Sequence, residues 1–216
     1  MPDPDSDPDS GGPGGAARKS YHHGNLREAL VRATLGLIEE RGPLGFTLAE
    51  AARVAGVSAA APYRHFRGRD ELIEEVAQRG FVIFAERLDR AWNDGRPSGL
   101  SSFMAMGRAY LDFARDNPGF YAAMFESGVA IAGNPELAHA ADRAMSVLVR
   151  AAERLSEPLP VERRPPPAMV ANHIWAFSHG VVELFGRGRP GARAPYSADE
   201  MLESGTVIYL RGLGIV

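Results

Sequence analysis

The chain has 216 residues, 45% of them hydrophobic, with 24 basic and 27 acidic side chains and a net charge of −3. That is enough for one or two domains around an apolar core, and too little positive charge for a general polyanion binder. The absence of cysteine excludes disulfides and thiolate metal sites, no apolar run approaches the ~18 residues of a membrane span, and the acidic, Pro- and Gly-rich start does not read as a signal peptide. These features indicate a cytoplasmic location.

Residues 1–17, MPDPDSDPDSGGPGGAA, carry four aspartates and no base, and bury too little apolar surface to offset the entropy of ordering; they are expected to be a disordered acidic tail. The spacing of Leu30, Ala33, Leu37 and Ile38 predicts a helix over Asn25 to Arg41, stopped by Gly42-Pro43. Thr47 and Glu50 form a capping box at the head of a second helix, which Gly56 breaks. Ser58 is placed to cap a third helix, Ala59 to Phe66, that opens on small side chains. A short helix, a turn at Gly56-Val57-Ser58 and a second short helix make a helix-turn-helix. Ala59, Ala60 and Ala61 permit close approach to a duplex, and an alanine or the ring of Pro62 can touch a thymine methyl. Residues 18–69 hold nine basic and four acidic side chains, a net +5, whereas residues 70–216 carry −4. The basic reader sits on an acidic remainder.

A support helix is expected from Arg69 to about Asn93, followed by a break at Asn93 to Gly99 and helices near 100–116, 118–126, 135–155, 167–186 and 198–213. Five prolines between Ser156 and Pro167 mark a loop, Gly186 to Pro195 is irregular, and Ser197 with Glu200 forms a second capping box. No strand pattern occurs. The fold class is therefore all-α: an N-terminal three-helix reader over 18–68 and a C-terminal helical bundle over 69–216.

The run GVSAAAPYRHFRGRDEL, Gly56 to Leu72, resembles the recognition segment and support-helix start of the TetR repressor family. The likeness extends to Tyr21–Leu30, to Arg108–Phe125 and to IWAFSHG at Ile174–Gly180, which carries the Trp, His and Gly of the family's WHG subgroup. Arg69 stands where the family usually has Lys, and Ala59 where many members have Pro. The resemblance implies a homodimeric regulator, by default a repressor, that reads an inverted repeat in double-stranded DNA. It assigns Tyr63 and His65 to phosphate, with Arg53, Arg64, Arg67 and Arg69 as nearby cations. Thr47, Ser58 and Ala59 to Pro62 complete the DNA-facing set, and Tyr21, His22 and His23 touch phosphate from the flank. Phe66 is expected to pack.

In the bundle, Met106, Tyr110, Phe113, Phe120, Met124 and Phe125, together with Trp175 and His179 four apart on a later helix, are the expected lining of a cavity for an unidentified small apolar or amphipathic effector. Tyr110 and His179 are its polar handles. A second stripe, Ile174, Phe177, Val181 and Leu184, is expected to meet a partner subunit together with Leu202, Thr206, Tyr209 and Leu213. His22-His23 lacks a third metal ligand nearby; His173, His179 and Glu183 do not share one helical face; and no G-x-S-x-G or phosphate loop occurs, so neither metal, cofactor nor catalysis is expected. A ligand-independent DNA-binding dimer with a filled core is the alternative, and a ligand-binding protein or enzyme with a vestigial helix-turn-helix a more distant one.

Overall fold

The computed structural model describes residues 15–186 and 195–216, with side chains from Leu26 onward. Most of the expected tail and most of the Gly186–Pro195 stretch lie outside the described residues. Among those described there are eight α-helices and no strand.

Helix α1, Gly15–Arg41, begins earlier than expected, so Tyr21, His22 and His23 belong to its backbone rather than preceding it, as do residues 15–17 of the expected tail. Their side chains lie outside the described set. The helix ends on Gly42 at φ +78°, whose N–H donates to the Ile38 carbonyl at 2.8 Å. Helix α2, Leu48–Val54, has the expected capping box: Thr47 Oγ1 accepts from the Glu50 N–H at 3.2 Å, and the Thr47 N–H donates to the Glu50 carboxylate at 2.9 Å. It closes on Gly56 at φ +73°. There the Gly56 N–H bonds the Arg53 carbonyl and the Val57 N–H reaches back to Ala52, two carbonyls that a straight helix end would leave unsatisfied.

The next element corrects the expectation. Ala59 to Phe66 is not an α-helix but a turn leading into one 3₁₀ turn, Pro62–Arg64. Proline is the cause: without an N–H, Pro62 cannot bond the Ser58 carbonyl, which instead accepts from Ala61 at 2.9 Å. Ser58 thus contributes its backbone rather than a capping hydroxyl. The ladder resumes only at Phe66, whose N–H reaches the Pro62 carbonyl at 2.9 Å.

Helix α3, Arg69–Trp92, is the axis of the molecule. Its buried stripe runs from Leu72, Ile73 and Val76 at the reader end to Phe84, Leu88 and Trp92 at the far end, and Asn93 ends it in the left-handed region at φ 44°. Around it pack α4 (Gly99–Asp116), α5 (Pro118–Phe125) and α6 (Pro135–Ser156). Gly80 lets α5 come close, since a Cβ there would stand 2.6 Å from Met124 Sδ. Helix α7, Pro167–Val181, runs on into a π-helical turn, Val182–Gly186, and α8, Ala198–Gly212, opens on the expected Ser197–Glu200 capping box.

The reader meets the bundle along α1, and α6 is tied to the reader end of α3. Gly119, at the start of α5, lies against Leu35 and Glu39 of α1. Asn134 caps α6 through its side-chain oxygen while its amide donates to Glu74 on α3 at 2.8 Å.

Candidate nucleic-acid interface and effector site

The recognition segment is anchored by what it buries. Pro62 and Phe66 point inward, and Arg27 of α1 lies over the Phe66 ring with its guanidinium carbon 5.4 Å from the centroid. The same guanidinium bonds Glu75 on α3 at 2.5 Å, and Arg79 bonds both Glu75 and Glu28, at 2.9 and 2.6 Å. Burial of Glu75 opposes its ionisation, but the hydrogen bonds from Arg27 and Arg79 outweigh it and hold this carboxyl below the usual range. The angle of the segment to α3 is thus fixed by one buried ring and a four-membered ion network.

What remains outside is the expected reading surface, with one exception. Ser58, Ala59, Ala60 and Arg64 are exposed, Ala61 and His65 are half-buried, and Tyr63 is 63% exposed. Pro62 is buried, so it cannot offer its ring to a thymine methyl; the alanines alone can. Thr47, Tyr63, Arg67 and Arg69 rim a single shallow concavity together with Asp70, Glu71 and Glu74. Its cations are not free. Arg67 pairs with Glu71 at 3.3 Å and Arg69 with Asp70 at 2.9 Å, while Arg53 and Arg41 both reach Glu50. Glu71 also accepts the Arg67 backbone N–H at 2.6 Å, the main cause of its lowered pKa, so it closes the end of α3 that Gly68 leaves without a capping side chain. The charge on the surface expected to face DNA is therefore partly self-neutralised, a feature that counting charges along the chain overlooks.

In the bundle the expected cavity residues do converge, as rings in contact. Phe84 of α3 sits at the centre, 5.0 Å from Tyr110, 4.9 Å from Phe113 and 5.7 Å from Trp175, centroid to centroid. Trp175 continues to Phe125 at 6.0 Å, and Phe125 to His179 at 5.1 Å. Met106 is buried, and Met124 and the Cβ of Phe120 lie against Gly80 of α3.

The polar handles bond to each other. His179 Nδ1 lies 3.2 Å from the Tyr110 hydroxyl and 2.9 Å from that of Tyr121, whose ring stacks on the imidazole at 17°. Glu183, in the π-helical turn, is the acidic neighbour of both phenols. Burial chiefly, and the neighbouring Glu183 carboxylate, push both phenols above the ordinary tyrosine range, so they stay protonated donors. Phe84 completes this site although sequence spacing does not point to it; Tyr121 is expected in the apolar interior, but it follows Phe120 in an unbroken apolar run that hides which member faces inward. A small cavity, about 30 Å³, opens between α4, α7 and α8 against the buried Ser178 and Thr206, with room for about one water.

The expected dimer stripe divides. Ile174, Val181 and Leu202 are 3–5% exposed in the single chain and belong to its own core, which removes them from any partner surface. Phe177 is pressed onto Gly205 of α8, and Tyr209 is held by His173 Nδ1 at 2.9 Å. Leu184, at 71% exposed, does face outward, and so does Ile208, at 70%, which the stripe omitted.

Comparisons with known proteins agree with this architecture. Residues 30–76 match the model of the bacterial regulatory proteins of the tetR family, and residues 103–208 that of the tetracyclin repressor-like C-terminal domain, together well over half the chain. The HTH-type transcriptional regulator YobS of Bacillus subtilis is 27% identical over 100 residues, 46% of this chain and 51% of that protein, so the chain spans about half the length of the curated relatives it matches. A protein of unknown function from Rhodococcus sp. RHA1 superposes with a TM-score of 0.74 at 28% identity, covering 89% of this chain and 97% of that one. AibR in complex with isovaleryl coenzyme A and operator DNA superposes at 0.63 with 17% identity, covering 85% and 97%. With a tetR-type reader and a repressor-like C-terminal domain matched in one continuous order, the chain belongs to the TetR family of transcriptional regulators.

Proposed function

We propose that this regulator is a homodimeric repressor of the WHG subgroup that reads an inverted repeat and is released by a small molecule entering the bundle. The observation that carries the reading is the run Ser58–Arg64, exposed except for the half-buried Ala61 and the buried Pro62 and anchored by the buried Phe66, with Tyr63, Arg67 and Arg69 around one concavity. Residues 18–68 act as reader and 69–216 as sensor and dimeriser. Phosphate contacts dominate DNA affinity and release counterions, so a dimer neutralising ~6–10 phosphates binds with a salt slope of about −5 to −9. Electrophoretic mobility shifts across a salt series test this: Arg64→Ala should weaken binding to all sequences and lower the slope by about 1 per reader. A flat salt dependence overturns the reading.

Two readers spaced one DNA turn apart, ~34–36 Å, require a two-fold mate. The outer faces of α7 and α8, around Leu184 and Ile208, are the surface we assign to it. Ile208→Glu should give monomers by light scattering and abolish operator binding with the fold intact. A charge at Phe177 would instead disrupt packing on Gly205 within the protomer. The effector reading rests on the aromatic cluster: an effector that fits better when the readers are splayed shifts the population by its difference in affinity. Support that this fold takes effector and operator together comes from the AibR complex.

A further inference from the structure

The concavity beside the recognition segment is rimmed by two arginines, Arg67 and Arg69, and three carboxylates, Asp70, Glu71 and Glu74. Two of the acids are matched locally, Asp70 with Arg69 at 2.9 Å and Glu71 with Arg67 at 3.3 Å. The third is held from outside the reader by a neutral group: the side-chain amide of Asn134 donates to Glu74 Oε2 at 2.8 Å, across 60 residues of chain.

Asn134 uses both ends of one planar amide. Its oxygen accepts from the N–H groups of Glu136 and Leu137 at 3.1 and 3.2 Å and so caps α6, while its nitrogen holds Glu74. The cap itself is anchored. Pro135 fills the first helical position, Leu137 is fully buried, and α6 packs along α3. The position of the Glu74 carboxylate is therefore set by the start of a bundle helix.

We propose that Asn134 is a positioning residue of the DNA interface, which draws Glu74 toward α6 and keeps this carboxylate from competing with phosphate for Arg67 and Arg69. The proposal rests on the DNA-binding reading above and extends its machinery into the bundle. Glu74 stands one helical turn beyond Asp70 on the same face of α3, so once released it shares the concavity with both arginines. A unit charge moved a few ångströms nearer to phosphate in a partly solvated rim lowers affinity a few-fold, and a dimer counts the effect twice. Because cap and tie are one side chain, a shift of α6 along α3 also moves Glu74, which gives the bundle a direct hold on the charge that DNA meets.

The test is fluorescence anisotropy of a labelled mixed-sequence duplex of about 30 base pairs, titrated with the full chain at ~50 mM and ~200 mM salt. The chains compared are the parent, Asn134→Ser, Glu74→Gln and the double variant. Serine keeps an N-cap acceptor but has no amide to reach Glu74, and glutamine keeps the shape of Glu74 without its charge. Asn134→Ser should weaken binding about three- to tenfold at low salt and less at high salt, with a melting temperature close to the parent's. In the Glu74→Gln background the same substitution should change affinity by less than about twofold. If the serine variant melts early, Asn134→Asp replaces it: aspartate caps as well and repels Glu74, so its loss in the parent should exceed its loss in the Glu74→Gln background. Unchanged DNA affinity, or an equal loss in both backgrounds, overturns the proposal, because a role confined to capping α6 is indifferent to the charge at Glu74. Salt-dependent DNA binding by the parent without this coupling sinks this inference alone, whereas absent DNA binding by the parent sinks the interface reading itself.

Discussion

The two ends of α3 are held by different physics. Around Phe84 the helix is enclosed by rings from α4 and α7, and its neighbours Phe81, Ala85 and Leu88 are no more than 1% exposed. At the other end the recognition segment has one 3₁₀ turn, one buried ring and a lattice of ion pairs. The ring cluster is stabilised by burial, which pH and moderate salt change little. The reader also buries apolar side chains, among them Leu30, Ile38, Phe46 and Leu48, but its recognition segment is tied in addition by charges, which respond to salt, to pH and to the polyanion it is proposed to meet.

The sharpest test of that contrast is Phe84→Ala, which empties the hub of the ring cluster and should cost about 3–5 kcal/mol in denaturant unfolding. His179→Ala comes next. It removes the Nδ1 partner that the Tyr110 and Tyr121 hydroxyls share, an expected loss of about 1–3 kcal/mol. A lowered melting temperature with normal effector response in the surviving protein would make His179 structural, and an unchanged melting temperature with lost response would make it sensory.

A smaller, pH-dependent effect is expected at Glu75. Its folded pKa is depressed, so its contribution is present above the unfolded carboxylate value of about 4.3 and is lost as pH falls through the folded value. Glu75→Gln should therefore lower stability near neutrality and flatten the acid limb of a stability-against-pH curve below about pH 4.3. An acid limb identical to that of the parent would show that the ion lattice does not hold the reader. Smallest of all is Tyr63→Ala, an exposed site where stability should move by less than about 0.5 kcal/mol while DNA affinity falls.

Helix ends were legible in the sequence because capping chemistry is local. Thr47 with Glu50, Ser197 with Glu200 and the glycine at 56 each specify their bonds within a few residues. The recognition segment departs from its helical spacing for a local reason as well: Pro62 lacks the N–H that an α-helix over Ala59–Phe66 would use. The dimer stripe divides for a different reason. Helix α7 and the π-helical turn after it are apolar on more than one face, with Val170, Ile174 and Val181 inward, Trp175 toward the rings and Leu184 outward, so periodicity alone does not say which stripe meets the core. The hydrogen bonds joining Tyr110 and Tyr121 to His179 span residues far apart in the chain, and only the fold brings them together.

Helix α3 has one further consequence, for protein engineering. Leu72, Ile73 and Val76, which carry the reader, and Phe84, Leu88 and Trp92, which carry the bundle, lie on one uninterrupted stripe. There is no seam at which reader and sensor can be exchanged cleanly. A chimera joined within α3 would pair half of one stripe with a foreign core, whereas one that keeps Arg69–Trp92 whole must also retain the α1 surface against Gly119 and the Glu74 contact to Asn134. Swapping specificities in this regulator therefore means rewriting side chains between Ser58 and Arg69 and leaving the backbone of both halves as one inheritance.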